Sequence, residues 1–139
     1  MALSTYLGLN DSRCLRKIVN IFFDVDHTLL LNTKDCSALR PGAHISMRKL
    51  SELGNEVHVW SAGGKTYCQR IVEQHGLTNW VTDCHDKNPK VQPQPDVIID
   101  DDHYLVEKYG GYTVSQYKKI NENDRELLEI TEQIIQSGR

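Results

Sequence analysis

The stretch Ile21-Phe22-Phe23-Asp24-Val25-Asp26-His27-Thr28-Leu29-Leu30 constrains this chain most, because an apolar run ends there in two carboxylates one residue apart. A strand from about Ile18 to Asp24 would be apolar on both sides, the pattern of a central parallel strand covered on both faces. While the chain stays extended, Asp24 and Asp26 point to one side and Val25 to the other. Two acids aimed at one small volume raise each other's pKa unless a cation or a shared proton lies between them. The arrangement therefore asks for a metal ion. The competing reading is a strand followed by an acidic turn, since Asp is a common turn residue and N-cap.

Further along, apolar runs and helical stripes alternate. A loop to Arg40 leads to Pro41, which opens a helix with Met47, Leu50 and Leu53 on one stripe and Gly54 as its stop. A second strand, about Glu56 to Trp60, precedes a helix near Lys65 to His75 that carries Cys68, Ile71 and Val72 on one side. A weak third strand is expected near Asn79 to Thr82, at a sheet edge. Three prolines, Pro89, Pro93 and Pro95, exclude a long helix over residues 87 to 95. A fourth strand spans Asp96 to Asp100, a short helix Tyr104 to Tyr109, and a fifth strand Gly111 to Val114. Leu127, Leu128, Ile130, Ile134 and Ile135 then mark a last helix of about 122 to 136. This alternation predicts an α/β fold with a parallel sheet flanked by helices.

Chemistry-bearing residues sit at the ends of the runs: Asp24 and Asp26, then Ser61-Ala62-Gly63-Gly64, then Lys87 and Lys90, then Asp100-Asp101-Asp102. In open parallel sheets, ligands bind beyond the carboxyl ends of the strands. Acid pair, hydroxyl, lysine and acid cluster, in that order from Ile18 to about Tyr117, resemble the haloacid dehalogenase-like (HAD) hydrolase superfamily, whose first motif is Asp-x-Asp-x-Thr. The resemblance implies a single Rossmann-like domain with a five-stranded parallel sheet in the order 5-4-1-2-3. It implies that the strands carrying Asp24 and Asp101 are neighbours, so that both acid clusters share one Mg2+. It further implies a phosphatase in which Asp24 is the nucleophile and a metal ligand, while Asp26 protonates the leaving alcohol and lends its backbone carbonyl to the metal. By the same resemblance Thr28 braces the turn, and Ser61 with the Ala62 amide holds the transferring phosphate. The lysine that neutralises charge is Lys87 or Lys90, with Lys87 favoured as nearer the third strand. Asp101 is the direct metal ligand, Asp100 supports it, and Asp102 caps the next helix. His27 stands where the family usually has glycine, and this bears on the mouth of the site rather than on its chemistry.

Phosphate-ester chemistry explains why these groups occur together: a charged ester needs a cation, fixed donors, a nucleophile and a proton source for the leaving oxygen. Gly64-Lys65-Thr66 imitates the end of a P-loop, but Val59 stands where that loop needs its first glycine. A receiver-type phosphoacceptor uses similar groups in a different order and lacks an acid two residues beyond the acceptor. A non-catalytic or regulatory protein on the same fold is the third class.

At 139 residues the chain fits one domain, with 1–17 as an arm and 18–139 as the α/β unit. The intervals Leu29 to Val57 and Gly64 to Lys87, where larger family members insert a cap, are taken up by core elements, so the small capless type is expected. An open site admits large substrates, so the expected partner is a phosphorylated small ester or a macromolecular or oligonucleotide phosphate. A net charge of −3 gives no general drive toward nucleic acid or anionic membrane. Cysteines at 14, 36, 68 and 84 follow no zinc or disulfide spacing, and reduced thiols in a cytoplasmic setting are expected. Met1 to Asn10 lack the basic start and apolar core of a secretory signal, and no run reaches transmembrane length.

Overall fold

The computed structural model describes residues 18–138, so the arm expected at 1–17 lies outside the described residues. Its centre is β1 (Asn20–Asp24), which pairs in parallel with β4 (Glu56–Ser61) on one side and with β6 (Val97–Asp100) on the other. Outside β4 lies β5 (Asp83–Asp86) and outside β6 lies β7 (Gly111–Thr113), again in parallel. Every strand of this five-stranded sheet therefore points its carboxyl end toward one edge, where Asp24, Ser61, Asp86 and Asp100 stand.

Burial on both faces accounts for the unbroken apolar runs. On the larger face Ile21, Phe23, Val57, Val59, Val97 and Ile99 join one core with residues of α1 (Ala43–Glu52), α2 (Lys65–Gln74) and α4 (Glu126–Gln136). On the smaller face Phe22, Trp60, Val91 and Ile98 pack with Leu105, Val106 and Tyr109 of α3 (His103–Tyr109). Each fully buried aliphatic side chain contributes about 1.5–3 kcal/mol relative to exposure, so the core rather than local propensity fixes these helices. Ser46 Oγ donates to the Leu127 carbonyl at 3.1 Å and accepts from Thr131 Oγ at 2.7 Å, which ties α1 to α4. His58, 2% exposed, stacks on Phe22 with ring centroids 4.6 Å apart and faces His85 at 2.9 Å, which fills the smaller face on the β4–β5 side.

Two expectations change. An antiparallel hairpin, β2 (Leu30–Asn32) with β3 (Ser37–Leu39), occupies what reads as a loop before Arg40. The hairpin forms its own two-stranded sheet and takes two numbers, so the main sheet reads β5-β4-β1-β6-β7; numbered without the hairpin its five strands read 3-2-1-4-5, the expected 5-4-1-2-3 seen from the other edge. The third strand is Asp83–Asp86 rather than Asn79 to Thr82. Trp80 and Val81 are spent on packing against the core from the turn after α2, and the polar residues that follow make the edge strand. Smaller shifts trim the ends: α4 begins at Glu126, and α1 begins at Ala43 behind Gly42.

Gly111 decides how closely β7 approaches β6. Its φ is 145°, and a Cβ there would lie 2.0 Å from the Ile98 carbonyl oxygen, so only glycine fits. Among the described residues no helix is long and apolar enough to cross a membrane.

Candidate active site

β1 delivers Asp24, 6% exposed, to the carboxyl edge of the sheet, and the chain then turns sharply. The turn is closed by backbone bonds from Leu29 N to Val25 O at 3.0 Å and from His27 N to Leu30 O at 2.9 Å. It returns the buried Thr28 side chain, whose Oγ1 donates to Asp24 Oδ2 at 3.0 Å. His27 occupies the left-handed region at φ 66°, which is where glycine is least strained. The residue tolerates this while Tyr117 N donates to its carbonyl at 2.8 Å and its Nδ1 lies 3.4 Å from Tyr117 O.

The two neighbouring strand ends complete a charged cluster. From β6 come Asp100, fully buried, and the half-buried Asp101. Lys87 follows β5 directly, and its N–H donates to Ser61 O at 3.1 Å, which carries it inward across the end of β4. Its Nζ stands 3.0 Å from Asp24 Oδ1 and 2.8 Å from Asp100 Oδ2. Oxygens of Asp24, Asp100 and Asp101 lie within 4.8 Å of one another. Gln116 Nε2 donates to Asp101 Oδ2 at 3.1 Å.

Three carboxylates against one ammonium leave an excess of negative charge in a buried place, and the titration shifts follow. Burial first, and then the Asp100 charge, push the Asp24 carboxyl up to about 7, against the pull of Lys87. Burial likewise raises Asp100, opposed by its bonds to Lys87. Burial works to raise Asp101 too, yet hydrogen bonds with Asp24 and Gln116 hold it below the usual carboxylate range. At Lys87 burial opposes the charge, but Asp24 and Asp100 outweigh it and keep the ammonium above its usual range. Without a further cation, then, the Asp24 carboxyl takes up a proton as pH falls through about 7, while the Asp101 carboxylate beside it stays ionised to lower pH. An all-oxygen donor set with surplus negative charge fits a hard divalent cation, and Asp24, Asp100 and Asp101 are the side chains that would hold it.

Lys87, rather than Lys90, is brought to this cluster; Lys90 is exposed and lies in a separate cleft with Lys65, His85 and Asp86. Asp100 enters the cluster beside Asp101: β6 extends to Asp100 and buries it against Lys87. Asp102 caps α3, its Oδ1 accepting from Tyr104 N at 3.0 Å and from Leu105 N at 3.4 Å.

The Asp26 side chain does not join the three carboxylates, and the metal contact expected of this residue is through its backbone carbonyl. Tyr67 from α2 donates its hydroxyl to Asp26 Oδ1 at 2.6 Å and accepts from Asn32 Nδ2 at 3.0 Å. Burial, and then the bond to Asp26, push the Tyr67 hydroxyl up to about 12, so it stays protonated. Ser61 closes β4 with Oγ accepting from Gly63 N at 3.0 Å, and Ala62 lies exposed in the turn beyond it. At the start of α2 the Lys65 N–H is already taken by Asp86 Oδ1 at 2.7 Å. Tyr67 and Gln116 are absent from the motif reading. For Tyr67 the only sequence signal is its place three residues past Gly64, on the first turn of a helix.

No family model matches the chain, and no curated protein matches it. Solved structures do. An uncharacterized protein from Listeria monocytogenes serotype 4b superposes with a TM-score of 0.60 at 16% identity, over 86% of this chain and 98% of that one. The fission yeast RNA polymerase II CTD phosphatase Fcp1, bound to beryllium fluoride, gives a TM-score of 0.52 at 16% identity. That match covers 86% of this chain and 50% of the Fcp1 chain, so this chain spans half the length of that phosphatase. At these identities the likeness is one of fold alone: a Rossmann-like α/β domain.

Proposed function

We propose that residues 18–139 form a capless HAD-type phosphatase, a Mg2+-dependent phosphomonoester hydrolase working through an aspartyl-phosphate on Asp24. The observation that carries this reading is the set of three carboxylates, Asp24, Asp100 and Asp101, gathered within 4.8 Å at the strand ends with Lys87 among them. Support of a coarser kind comes from the fold shared with a phosphatase, Fcp1.

In the first step an Asp24 oxygen forms a bond to phosphorus while the bond to the leaving oxygen breaks, and Asp26 gives that oxygen its proton. In the second step Asp26, now a carboxylate, takes a proton from water. The water oxygen bonds to phosphorus, and the Asp24–phosphorus bond breaks. Lys87 stays within reach of Asp24 Oδ1 and neutralises charge shared between nucleophile and phosphoryl oxygens. Ser61 and the Ala62 amide are the proposed phosphate holders. When bound at Asp24, Asp100 and Asp101, with the Asp26 carbonyl as a further proposed ligand, Mg2+ supplies charge neutralisation for the phosphoryl group.

Between the first and second motifs the chain forms the hairpin and α1, and between the second and third it forms α2 and β5. This leaves the mouth above Asp24 open in the proposal, framed by the hairpin, the Ala62 to Lys65 turn and the segment after Asp102. The substrate class is then a phosphomonoester on a larger molecule, a macromolecule or an oligonucleotide end, with small esters turned over weakly. Cys36, Cys68 and Cys84 are free thiols, which suits the cytoplasmic placement proposed for it. The test is Asp24→Asn: hydrolysis of an aryl phosphate falls at least about a thousandfold while the circular-dichroism melt is unchanged or rises, because the amide is isosteric but a poor nucleophile. A folded variant with near wild-type turnover ends the covalent assignment.

A further inference from the structure

Tyr67 has no part in the chemistry described above, yet it makes the shortest side-chain contact with the proposed acid. Its Oη lies 2.6 Å from Asp26 Oδ1, within the range of charge-assisted O–H···O bonds. The same oxygen accepts from Asn32 Nδ2 at 3.0 Å, so one lone pair is filled from the hairpin and the single phenolic proton is directed at Asp26. The ring is fixed as well, since it packs against the main core, and a Cβ on Gly63 would meet its Cδ2 at 2.9 Å. Asp26, half-buried, immediately precedes the left-handed His27, and this contact reaches it from α2, a different element of the fold.

A carboxyl group acting as an acid must carry its proton on the oxygen that faces the leaving group. If Oδ1 already accepts the Tyr67 hydroxyl, the proton added to Asp26 sits on Oδ2. We infer that Tyr67 is a positioning residue that reserves Asp26 Oδ2 for proton transfer and, through Asn32, makes the acid's orientation depend on the seating of the β2–β3 hairpin. The inference rests on the assignment of Asp26 as acid and base in the proposed reaction. No proton leaves Tyr67 in either step: the proton given to the leaving oxygen comes from Asp26 and is replaced from the attacking water.

The experiment uses the full chain with Mg2+ and measures the phosphorylation step by rapid quench on p-nitrophenyl phosphate and on an alkyl phosphate. An alkoxide needs its proton far more than a nitrophenolate does. Tyr67→Phe, which keeps the ring and removes only the hydroxyl, is expected to slow the alkyl substrate about ten- to a hundredfold and the aryl substrate less than about threefold. Equal losses on both substrates would reduce Tyr67 to a packing residue and overturn the inference. Wild-type protein that forms no phosphoenzyme with either substrate would instead sink the phosphatase reading. In that event the contact is judged separately by proton NMR. A downfield hydroxyl resonance, absent from Tyr67→Phe, must also vanish in Asp26→Ala. Its persistence in Asp26→Ala, or its absence from the wild-type spectrum, overturns the positioning contact.

Discussion

Two buried clusters of charge stand on either side of Thr28, and they are built on opposite principles. Around Arg40, whose side chain is fully buried, Nε and Nη2 each donate at 3.0 Å to one oxygen of Asp124. Nη2 also reaches Glu126 Oε2 at 2.9 Å, and Nη1 donates to the Ser115 carbonyl at 2.9 Å and to the Thr28 carbonyl at 3.4 Å. The acids are answered in turn: Glu126 Oε1 accepts from Ser115 N at 2.9 Å and Asp124 Oδ1 from Glu126 N at 3.2 Å. Both of these carboxylates keep some exposure, so water screens what charge is left. In the Asp24 cluster the surplus acids are the deeply buried members, and the protein supplies one ammonium for three of them. Buried charge alone therefore does not mark a functional site. Charge that the chain leaves unbalanced does, because a structural network is stable only when its own residues complete it.

The contrast can be broken at its two cations. Lys87→Ala should lower turnover by at least about a hundredfold, as for loss of a preorganised charge at the reacting centre, while Lys90→Ala stays near wild type. Folding should suffer less than activity, since Asp24 and Asp100 already hold protons more tightly than free carboxylates do and take them up when the ammonium is gone. Arg40→Ala should reverse this order. It leaves buried carbonyls and two carboxylates without their partner and should cost about 3–5 kcal/mol in a urea titration. A stable, inactive Arg40→Ala protein would mean that the clamp serves chemistry rather than the fold.

Acidity sharpens the comparison further. Because the folded-state pKa of Asp24 is raised from 3.8 to about 7, the folded metal-free protein binds a proton that the unfolded chain releases. Its stabilising effect is fully present below about pH 4 and is lost as pH rises through about 7. Asp101, held below the usual range, contributes in the opposite sense, and its part is lost only as pH falls through its lowered value. The gain in melting temperature on adding Mg2+ should consequently grow from pH 5 to pH 8. Calorimetry in buffers of different ionisation enthalpy should find close to one proton released per ion at pH 6 and almost none at pH 9. Equal release at both values would place the Asp24 proton elsewhere. The smallest effect is expected at His27→Gly, which relieves the left-handed backbone at φ 66°. A gain of about 0.5–1 kcal/mol, or roughly 2–4 °C, should appear in the melt, with turnover changed less than by any substitution at Asp24 or Lys87.

Much of this was legible because it is written in runs. Ile21-Phe22-Phe23, Val57-His58-Val59-Trp60 and Val97-Ile98-Ile99 each form a strand of the sheet at close to their expected bounds, since burial on both faces leaves no polar interruption. Asp24, Lys87 and the acids after β6 stand at strand ends, and position along the chain located them. The hairpin escaped because Thr33 to Cys36 read as turn residues and three-residue strands carry almost no period. The strand Asp83–Asp86 escaped because its side chains are polar, whereas the apolar Trp80 and Val81 beside it belong to a turn. Tyr67 and Arg40 act on partners 41 and 84 positions away, and no local pattern encodes such pairings.

The close contact at Gly111 bears on how a mutational scan of this chain would be interpreted. The residue is exposed, and exposed positions ordinarily accept most side chains; here even a methyl group collides with the Ile98 backbone. Displacing β7 moves the strand that leads to Gln116, the donor on Asp101. In a selection scored by activity, position 111 would stand out as intolerant in the midst of tolerant neighbours, and would be mistaken for part of the chemistry. A parallel scan scored by abundance separates the two: Gly111 variants should be depleted in both, whereas Asp24→Asn should be depleted in activity alone.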